Sequence, residues 1–251
     1  MALLNDIEKT IAYAKKYGAV LSREQLWFRL LSDKKYSLEE IKEKFPISNF
    51  QFLKNNENDK KIKLAKELVK KHLFKFKDIL MVGVTGSVAA ENAKASEDID
   101  IFVICKKDTL WLTRLKLRLY IKLNNIPHRR YGKKEKANDF CFNLWMDEDN
   151  LLVPKLKQNQ KNAVDLIMVK VLLNKNNIHK KFVLENNWVK KYVANGYNQL
   201  RITNYELRIK KTKTSIIKIA INYLAFVGQI IYIRLKGPIK FINLRQAFFH
   251  K

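Results

Sequence analysis

Apolar residues recur along the chain at two spacings, which predict helices at both ends and strands between them. A spacing of three or four residues is typical of an amphipathic helix, whereas alternation or a short unbroken apolar run is typical of a strand. Helices are predicted at residues 5–17, 23–31, 38–45, 59–74, 110–123, 162–173, 182–193 and 215–234. Strands are predicted at residues 79–84, 98–104 and 139–147. This order favours the α+β fold class, with a small sheet in the middle of the chain.

Two helix starts near the N-terminus carry capping signals. Ser22 and Ser37 are each followed three residues later by Gln or Glu, which is the pattern of a capping box. Residues 50–58 could form a hairpin or wing, so that segment 1–55 resembles a winged helix-turn-helix. However, helix 38–45 carries three Glu against two Lys, and phosphate repulsion opposes the docking of an acidic helix on DNA. We therefore favour protein packing for this module, with a winged-helix DNA-binding regulator as the alternative.

The most apolar stretch is the predicted helix at residues 215–234. Its length of about 20 residues meets the requirement for a membrane span. Lys218, Asn222 and Gln229 fall on one face of this helix, and a single polar stripe is typical of a helix that buries its other face. The pattern predicts a core helix with one solvent-facing side, and no stable membrane insertion is expected.

The middle of the chain combines a glycine turn with a double-Asp strand. Strand 79–84 leads into Gly86 and Ser87, and a glycine turn before a helix offers backbone N–H groups, together with the Ser hydroxyl, to a phosphate. Strand alternation then puts Asp98 and Asp100 on one face. Neighbouring carboxylates repel unless a cation lies between them, and Mg²⁺ takes such oxygen ligands. The alternative is two solvent-facing Asp at a strand start, which leaves the Gly-Ser turn unexplained.

These residues carry a resemblance to a known family. Gly86-Ser87, ten residues and then Asp98-Ile99-Asp100-Ile101 resembles the signature of the DNA polymerase beta-like nucleotidyltransferase superfamily. A closer likeness, to stand-alone nucleotidyltransferase-domain proteins, extends over residues 84–87, 92–94, 110–114 and 142–145. The specific part of the resemblance covers roughly residues 80–148 of the chain.

The resemblance implies a fold and an activity. It implies a small mixed β-sheet nucleotidyltransferase core at residues 56–150, between a winged-helix-like helical module at 1–55 and a helical C-terminal region at 151–251. The implied activity is transfer of a nucleoside monophosphate from an NTP such as ATP to an unidentified acceptor hydroxyl, with two Mg²⁺ ions as cofactors. The alternative is a non-catalytic nucleotide-binding or nucleic-acid-binding regulator on the same fold.

The resemblance also implies roles for particular residues. Asp98 and Asp100 would hold the metal ions, and Gly86 and Ser87 would grip the phosphates. A third carboxylate is expected on strand 139–147, where alternation puts Asn143 and Asp147 on one face. They lie roughly 13 Å apart along a strand, so only one can reach the metals. An amide neither binds a hard cation strongly nor accepts a proton, so we predict Asp147 as the third catalytic and metal-binding residue.

Composition bears on the partner and on the compartment. The net charge is +26, from 50 basic and 24 acidic residues, which favours a polyanionic partner and predicts salt-sensitive, nonspecific nucleic-acid binding. Only 10 of the basic residues are Arg, the better bidentate reader of phosphate, and this weakens the indication. Cys105 and Cys141 have neither a disulfide nor a zinc spacing. With no apolar signal segment evident at the start, a cytoplasmic location is expected.

Overall fold

The structure is a computed structural model that describes residues 1–45, 55–130, 134–202, 214–236 and 241–249. Over these residues the chain is a mixed α/β protein with ten α-helices and a five-stranded mixed sheet. The helices are α1 (Ala2–Lys16), α2 (Arg23–Phe28), α3 (Leu38–Lys44), α4 (Asn56–Lys71), α5 (Gly86–Ala89), α6 (Leu110–Leu123), α7 (Gln160–Ile167), α8 (Ile178–Glu185), α9 (Ala194–Ile202) and α10 (Ile216–Arg234). The strands are β1 (Ile79–Val84), β2 (Ile99–Cys105), β3 (Phe140–Asp147), β4 (Lys170–Asn174) and β5 (Gln246–Phe248).

Helices cover both faces of the sheet. The strand order is β4-β1-β2-β3-β5, and β2 with β3 is the parallel pair, connected through α6. Helices α4, α6 and α10 pack on the face that receives Ile99, Ile101 and Val103. Helices α7, α8 and α9 pack on the opposite face, which receives Phe102 and Ile104. The alternation predicted for the second strand is therefore confirmed, and so is a mixed sheet built around the middle of the chain.

Helices α1, α2 and α3 have a small core of their own. Ile7, Leu26, Leu30 and Ile41 are buried together there. Both capping boxes form as predicted, at the starts of α2 and α3. Residues 50–54 of the predicted wing lie outside the described residues. The rest of the predicted wing overlaps α4, which begins at Asn56.

The prediction of one helix over residues 162–173 is wrong in its second half. Helix α7 ends at Ile167, and the chain continues as β4, which pairs antiparallel with β1. This edge strand supplies hydrogen-bond partners to the open side of β1, and the β-branched residues Val169 and Val171 favour an extended backbone. The C-terminal region is therefore not purely helical, because it supplies both β4 and β5.

The helix predicted at residues 182–193 is interrupted at Asn186. Its buried amide accepts hydrogen bonds from the backbone N–H of Val153 (2.8 Å) and from the indole N–H of Trp188 (2.9 Å). It also donates to the carbonyls of Leu151 and Phe182. A side chain that competes in this way for local backbone groups disfavours a continuous helix, and α8 and α9 are separate elements as a result.

The orientation of α10 reverses the prediction. Asn222 and Gln229 are 2% and 8% exposed and face inward. Asn222 Oδ1 accepts from the first backbone N–H groups of α6, those of Trp111 (2.9 Å) and Leu112 (3.0 Å). Gln229 donates to the carbonyl of Trp111 (2.9 Å). Asn222 therefore satisfies the first N–H groups of α6, which have no intrahelical acceptors. Ala225 and Ile233 are buried beside it, while many of the large apolar residues of α10 face outward.

Candidate functional site

The turn after β1 brings the backbone of Gly86 against a carboxylate. Gly86 has a φ of +65°, in the left-handed region that favours glycine. A Cβ placed on Gly86 would collide with the carboxylate of Asp100. Glycine is therefore required at this position twice over, for the backbone conformation and for the space that Asp100 occupies. The predicted proximity of the glycine turn and the double Asp is present in the structure.

Asp98 and Asp100 lie together at the start of β2. A carboxylate oxygen of each residue and the Sγ of Cys141 fit within 4.8 Å of one another. Asp98 is 7% exposed, and one of its oxygens accepts from the guanidinium of Arg129 at 3.0 Å. Burial is the largest influence that raises the pKa of Asp98, followed by the charge of Asp100, while Arg129 lowers it. The two acids are thus held close together at an electrostatic cost.

A bulge in β3 determines which side chain lies next to this pair. Ile101 pairs with Phe142 and Phe102 pairs with Leu144, so that Asn143 is an extra residue between two regular pairs. The Asn143 amide donates a hydrogen bond to Asp100 Oδ1. Asn143, itself 2% exposed, therefore takes the place beside the acids at which the third carboxylate was expected.

Asp147 does not join Asp98 and Asp100. It pairs with Cys105, five residues along β2 from Asp100, which corresponds to roughly 16 Å. The bulge also changes the alternation, because Asp147 shares the face of Cys105, opposite to the face of Asp100. Its carboxylate accepts from the backbone N–H groups of Asp108 (2.7 Å) and Asp149 (3.0 Å). The expectation that Asn143 and Asp147 share a face is corrected by this geometry.

Glu97 and Lys61 hold the loop between the turn and the double Asp. Glu97 accepts hydrogen bonds from the Ser87 hydroxyl (2.6 Å) and from the backbone N–H of Lys94 (3.0 Å). Lys61, on α4, is fully buried and donates to the Glu97 carbonyl (2.6 Å) and to Asn138 Oδ1 (3.1 Å). Lys61 therefore anchors the loop that carries Asp98.

A cavity of about 740 Å³ opens beside the glycine turn. Gly86, Ser87, Asp100 and Asn143 form part of its wall, and α1, α7 and the segment leading into α7 also contribute to it. A volume of this size is within the usual range for small-molecule sites. The predicted phosphate-binding residues Gly86 and Ser87, and Asp100 of the three predicted metal ligands, thus line a cavity large enough for a nucleotide.

The cavity wall also carries cations that the motif did not reveal. Lys94, Lys157 and Lys161 line it, as does Arg29 from the N-terminal helices. Arg29 is 9% exposed, and its guanidinium donates one hydrogen bond, to the Ala90 carbonyl at 3.1 Å. Burial lowers the pKa of Arg29, and the Nε atom is buried without a hydrogen-bond partner. The charge of Glu91 opposes this shift, and a cation that is buried in this way favours further anionic partners.

The donor set at Asp98 and Asp100 fits a hard cation better than a soft one. Two adjacent carboxylates suit Mg²⁺, which binds through one or two carboxylates together with substrate phosphates. Burial, followed by the charges of Asp100 and Asp98, raises the pKa of the Cys141 thiol, so the thiolate that Zn²⁺ requires is disfavoured. Asn143 could contribute an amide oxygen if its side-chain amide were turned around. The residues present therefore fit one Mg²⁺ ion.

Comparison with known proteins gives no match: no protein-family model, no curated protein and no solved structure is similar to this chain.

The structure brings together Gly86, Ser87, Asp98 and Asp100, and leaves Asp147 apart. Arg29 was missed because it is more than fifty residues from the motif in sequence. The only signal that could have revealed it is a basic residue within an otherwise apolar helix end.

Proposed function

We propose that the cavity binds a nucleoside triphosphate together with Mg²⁺. The observation that carries the proposal is Asp100, which lies against Gly86 on the wall of a cavity of nucleotide size and has the carboxylate of Asp98 beside it. Asp98 and Asp100 would hold the ion, which supplies charge neutralisation to the phosphates. The backbone at Gly86 and Ser87 would contact the phosphate oxygens, and Arg29 and Lys94 would complete the neutralisation.

The protein's own residues explain why we propose binding rather than efficient transfer. Activation of an acceptor hydroxyl needs a proton acceptor near the metal. Asn143 stands beside Asp100, and an amide does not take up a proton at neutral pH. With two carboxylates instead of three, the donor set holds one ion rather than the predicted two. A nucleotide-binding regulator is therefore the function that this geometry supports best.

Nucleotidyl transfer to an acceptor hydroxyl is the second candidate. It is favoured by the spacing of the carboxylate oxygens of Asp98 and Asp100, which lie close enough to share a cation. The variant Asn143→Asp tests whether the lack of a third carboxylate beside Asp98 and Asp100 limits the transfer activity. If it does, this variant transfers label from an α-labelled NTP to an acceptor in Mg²⁺, while the wild-type protein does so far more slowly. Wild-type transfer at a rate equal to that of Asn143→Asp would instead make this second candidate the function.

Calorimetric titration with each of the four NTPs, with and without Mg²⁺, tests the proposal itself. We expect saturable binding that requires Mg²⁺ in the wild-type protein and is lost in Asp100→Asn. Asp149→Asn is the matched control, because it removes the same charge from a carboxylate that pairs with Lys107 (2.8 Å) at the far end of β3. No binding of any NTP by the wild-type protein, or equal losses in both variants, would contradict the proposal.

A further inference from the structure

The outward face of α10 exposes many large apolar side chains. Ile217, Leu224 and Ile231 are 74%, 68% and 55% exposed. The face also includes exposed Ile216, Ile221, Tyr223, Val227, Tyr232 and Leu235. An ordinary surface helix buries its apolar stripe, and a contiguous exposed patch of this kind marks an interaction site.

The inward side of α10 is fixed to the rest of the protein by polar contacts. Asn222 and Gln229 bond to the first turn of α6, as described above, and Lys218 forms an ion pair with Asp78 at 2.7 Å. Rotating the helix to bury its apolar face would break all of these contacts and leave the first N–H groups of α6 without acceptors. The outward orientation of the apolar residues is therefore built into the fold.

The charged groups that border this face directly are basic. Helices α6 and α10 contain six Lys or Arg and no Asp or Glu. Arg118 lies over the ring of Tyr232 at 5.6 Å, and Lys236 lies over the same ring at 4.8 Å, so basic groups border the apolar surface directly. A second copy of the chain would bring these like charges together across the interface, in a protein of net charge +26. An anionic surface complements them.

We propose that the exposed face of α10 docks on a membrane surface that contains anionic lipid. Apolar side chains bordered by Lys and Arg are the composition of helices that lie in the plane of the lipid headgroups. Exposed Tyr223 and Tyr232 fit that depth, because Tyr is enriched at membrane interfaces. The helix would lie along the surface for about 28 Å rather than cross the bilayer, since its polar side is bonded to the protein.

Co-sedimentation of the whole protein with vesicles tests the proposal. We expect binding to vesicles of phosphatidylcholine with phosphatidylserine, little binding to phosphatidylcholine alone, and release at about 1 M salt, where the Debye length is only about 3 Å. The variant Leu224→Gln/Ile231→Gln should reduce the bound fraction at least about tenfold, in line with the apolar area removed. Val20→Gln, at another exposed apolar residue, is the matched control and should bind like the wild type.

The same experiment can overturn the proposal. Absence of wild-type binding to the anionic vesicles contradicts it, whether or not the double variant folds. Retention of the protein on the vesicles at high salt would contradict docking in the plane and indicate insertion. Sedimentation velocity without lipid gives a third outcome: a dimer that Leu224→Gln/Ile231→Gln dissociates would assign the face to a second copy of the chain.

Discussion

The two ends of the parallel strand pair β2–β3 both carry buried carboxylates, but the groups that hold these carboxylates differ. At the first end, side chains hold them: Arg129 contacts Asp98, and Asn143 contacts Asp100. At the far end, backbone N–H groups of Asp108 and Asp149 hold Asp147, with the guanidinium of Arg245 at 3.5 Å.

This difference separates a site from a structural contact. Side chains such as Arg129 and Asn143 can rotate away, so a cation can replace them without a change in the backbone. The N–H groups that hold Asp147 are part of the turns after β2 and β3 and cannot leave unless those turns unfold. Under the proposed function, the Asp98–Asp100 end binds the ligand and the Asp147 end stabilises the fold, and the two roles predict different phenotypes.

The largest effect is expected from Asp100→Asn. It removes one of two metal-binding carboxylates and should weaken Mg²⁺-dependent nucleotide binding by roughly 100-fold or more. It also relieves repulsion with Asp98, so the free energy of unfolding should be unchanged or higher. Calorimetric titration and urea denaturation measure the two quantities. A variant with wild-type affinity, or one that is strongly destabilised, would indicate that Asp100 stabilises the fold and does not bind the ligand.

The reverse phenotype is expected from Asp147→Ala. Two partly buried backbone N–H groups lose their acceptor, which should cost about 2 kcal/mol of unfolding free energy. Nucleotide affinity, measured below the melting temperature, should stay within about twofold of the wild type. Loss of binding without loss of stability would instead place Asp147 in the ligand site.

An intermediate effect is expected from Arg29→Met, which keeps the length of the side chain but removes its charge. Because the guanidinium is buried, its removal should leave the melting temperature unchanged or raise it, while nucleotide affinity falls about tenfold. Arg29→Lys, which keeps the charge, is the control and should retain most of the affinity. If Arg29 only stabilises the fold through its hydrogen bond to the Ala90 carbonyl, Arg29→Met will have a lower melting temperature and the nucleotide affinity of the wild type.

The last prediction concerns the pH dependence of stability and involves the far end of the strand pair alone. Burial raises the pKa of Asp147 to about 6, although its backbone N–H donors and Arg245 oppose this. A carboxyl that holds its proton more tightly when folded contributes stability fully below about pH 4, and this contribution is lost as the pH rises through about 6. Denaturation curves across that window should show the decline in the wild type, by up to roughly 3 kcal/mol, and a flatter profile in Asp147→Asn.

The first end of the strand pair could be predicted largely from sequence, because its determinants are local. Alternation alone puts Asp98 and Asp100 on one face, and the glycine turn is adjacent along the chain. The bulge at Asn143 depends on how β3 pairs with β2, and periodicity within one strand cannot reveal it. A single extra residue both placed Asn143 beside the acids and turned Asp147 to the opposite face.

Long-range partners explain the other differences between sequence and structure. The stripe of Lys218, Asn222 and Gln229 has the correct helical spacing, but a stripe does not tell which side faces water when its partners are the N–H groups of another helix. Likewise, β4 replaces the end of a predicted helix because β1 offers an open edge. Arg29 acquires its place in the cavity only when the N-terminal helices pack beside the glycine turn.

A crystal structure of the protein soaked with Mn²⁺ and a non-hydrolysable NTP analogue tests the central claim most directly, because the anomalous signal of Mn²⁺ locates the ion without reference to activity. We predict one Mn²⁺ peak in contact with carboxylate oxygens of Asp98 and Asp100, with Arg129 displaced and the phosphates against Gly86 and Ser87. A peak beside Asp147, or a nucleotide bound outside the cavity with no metal at the Asp98–Asp100 pair, would contradict it.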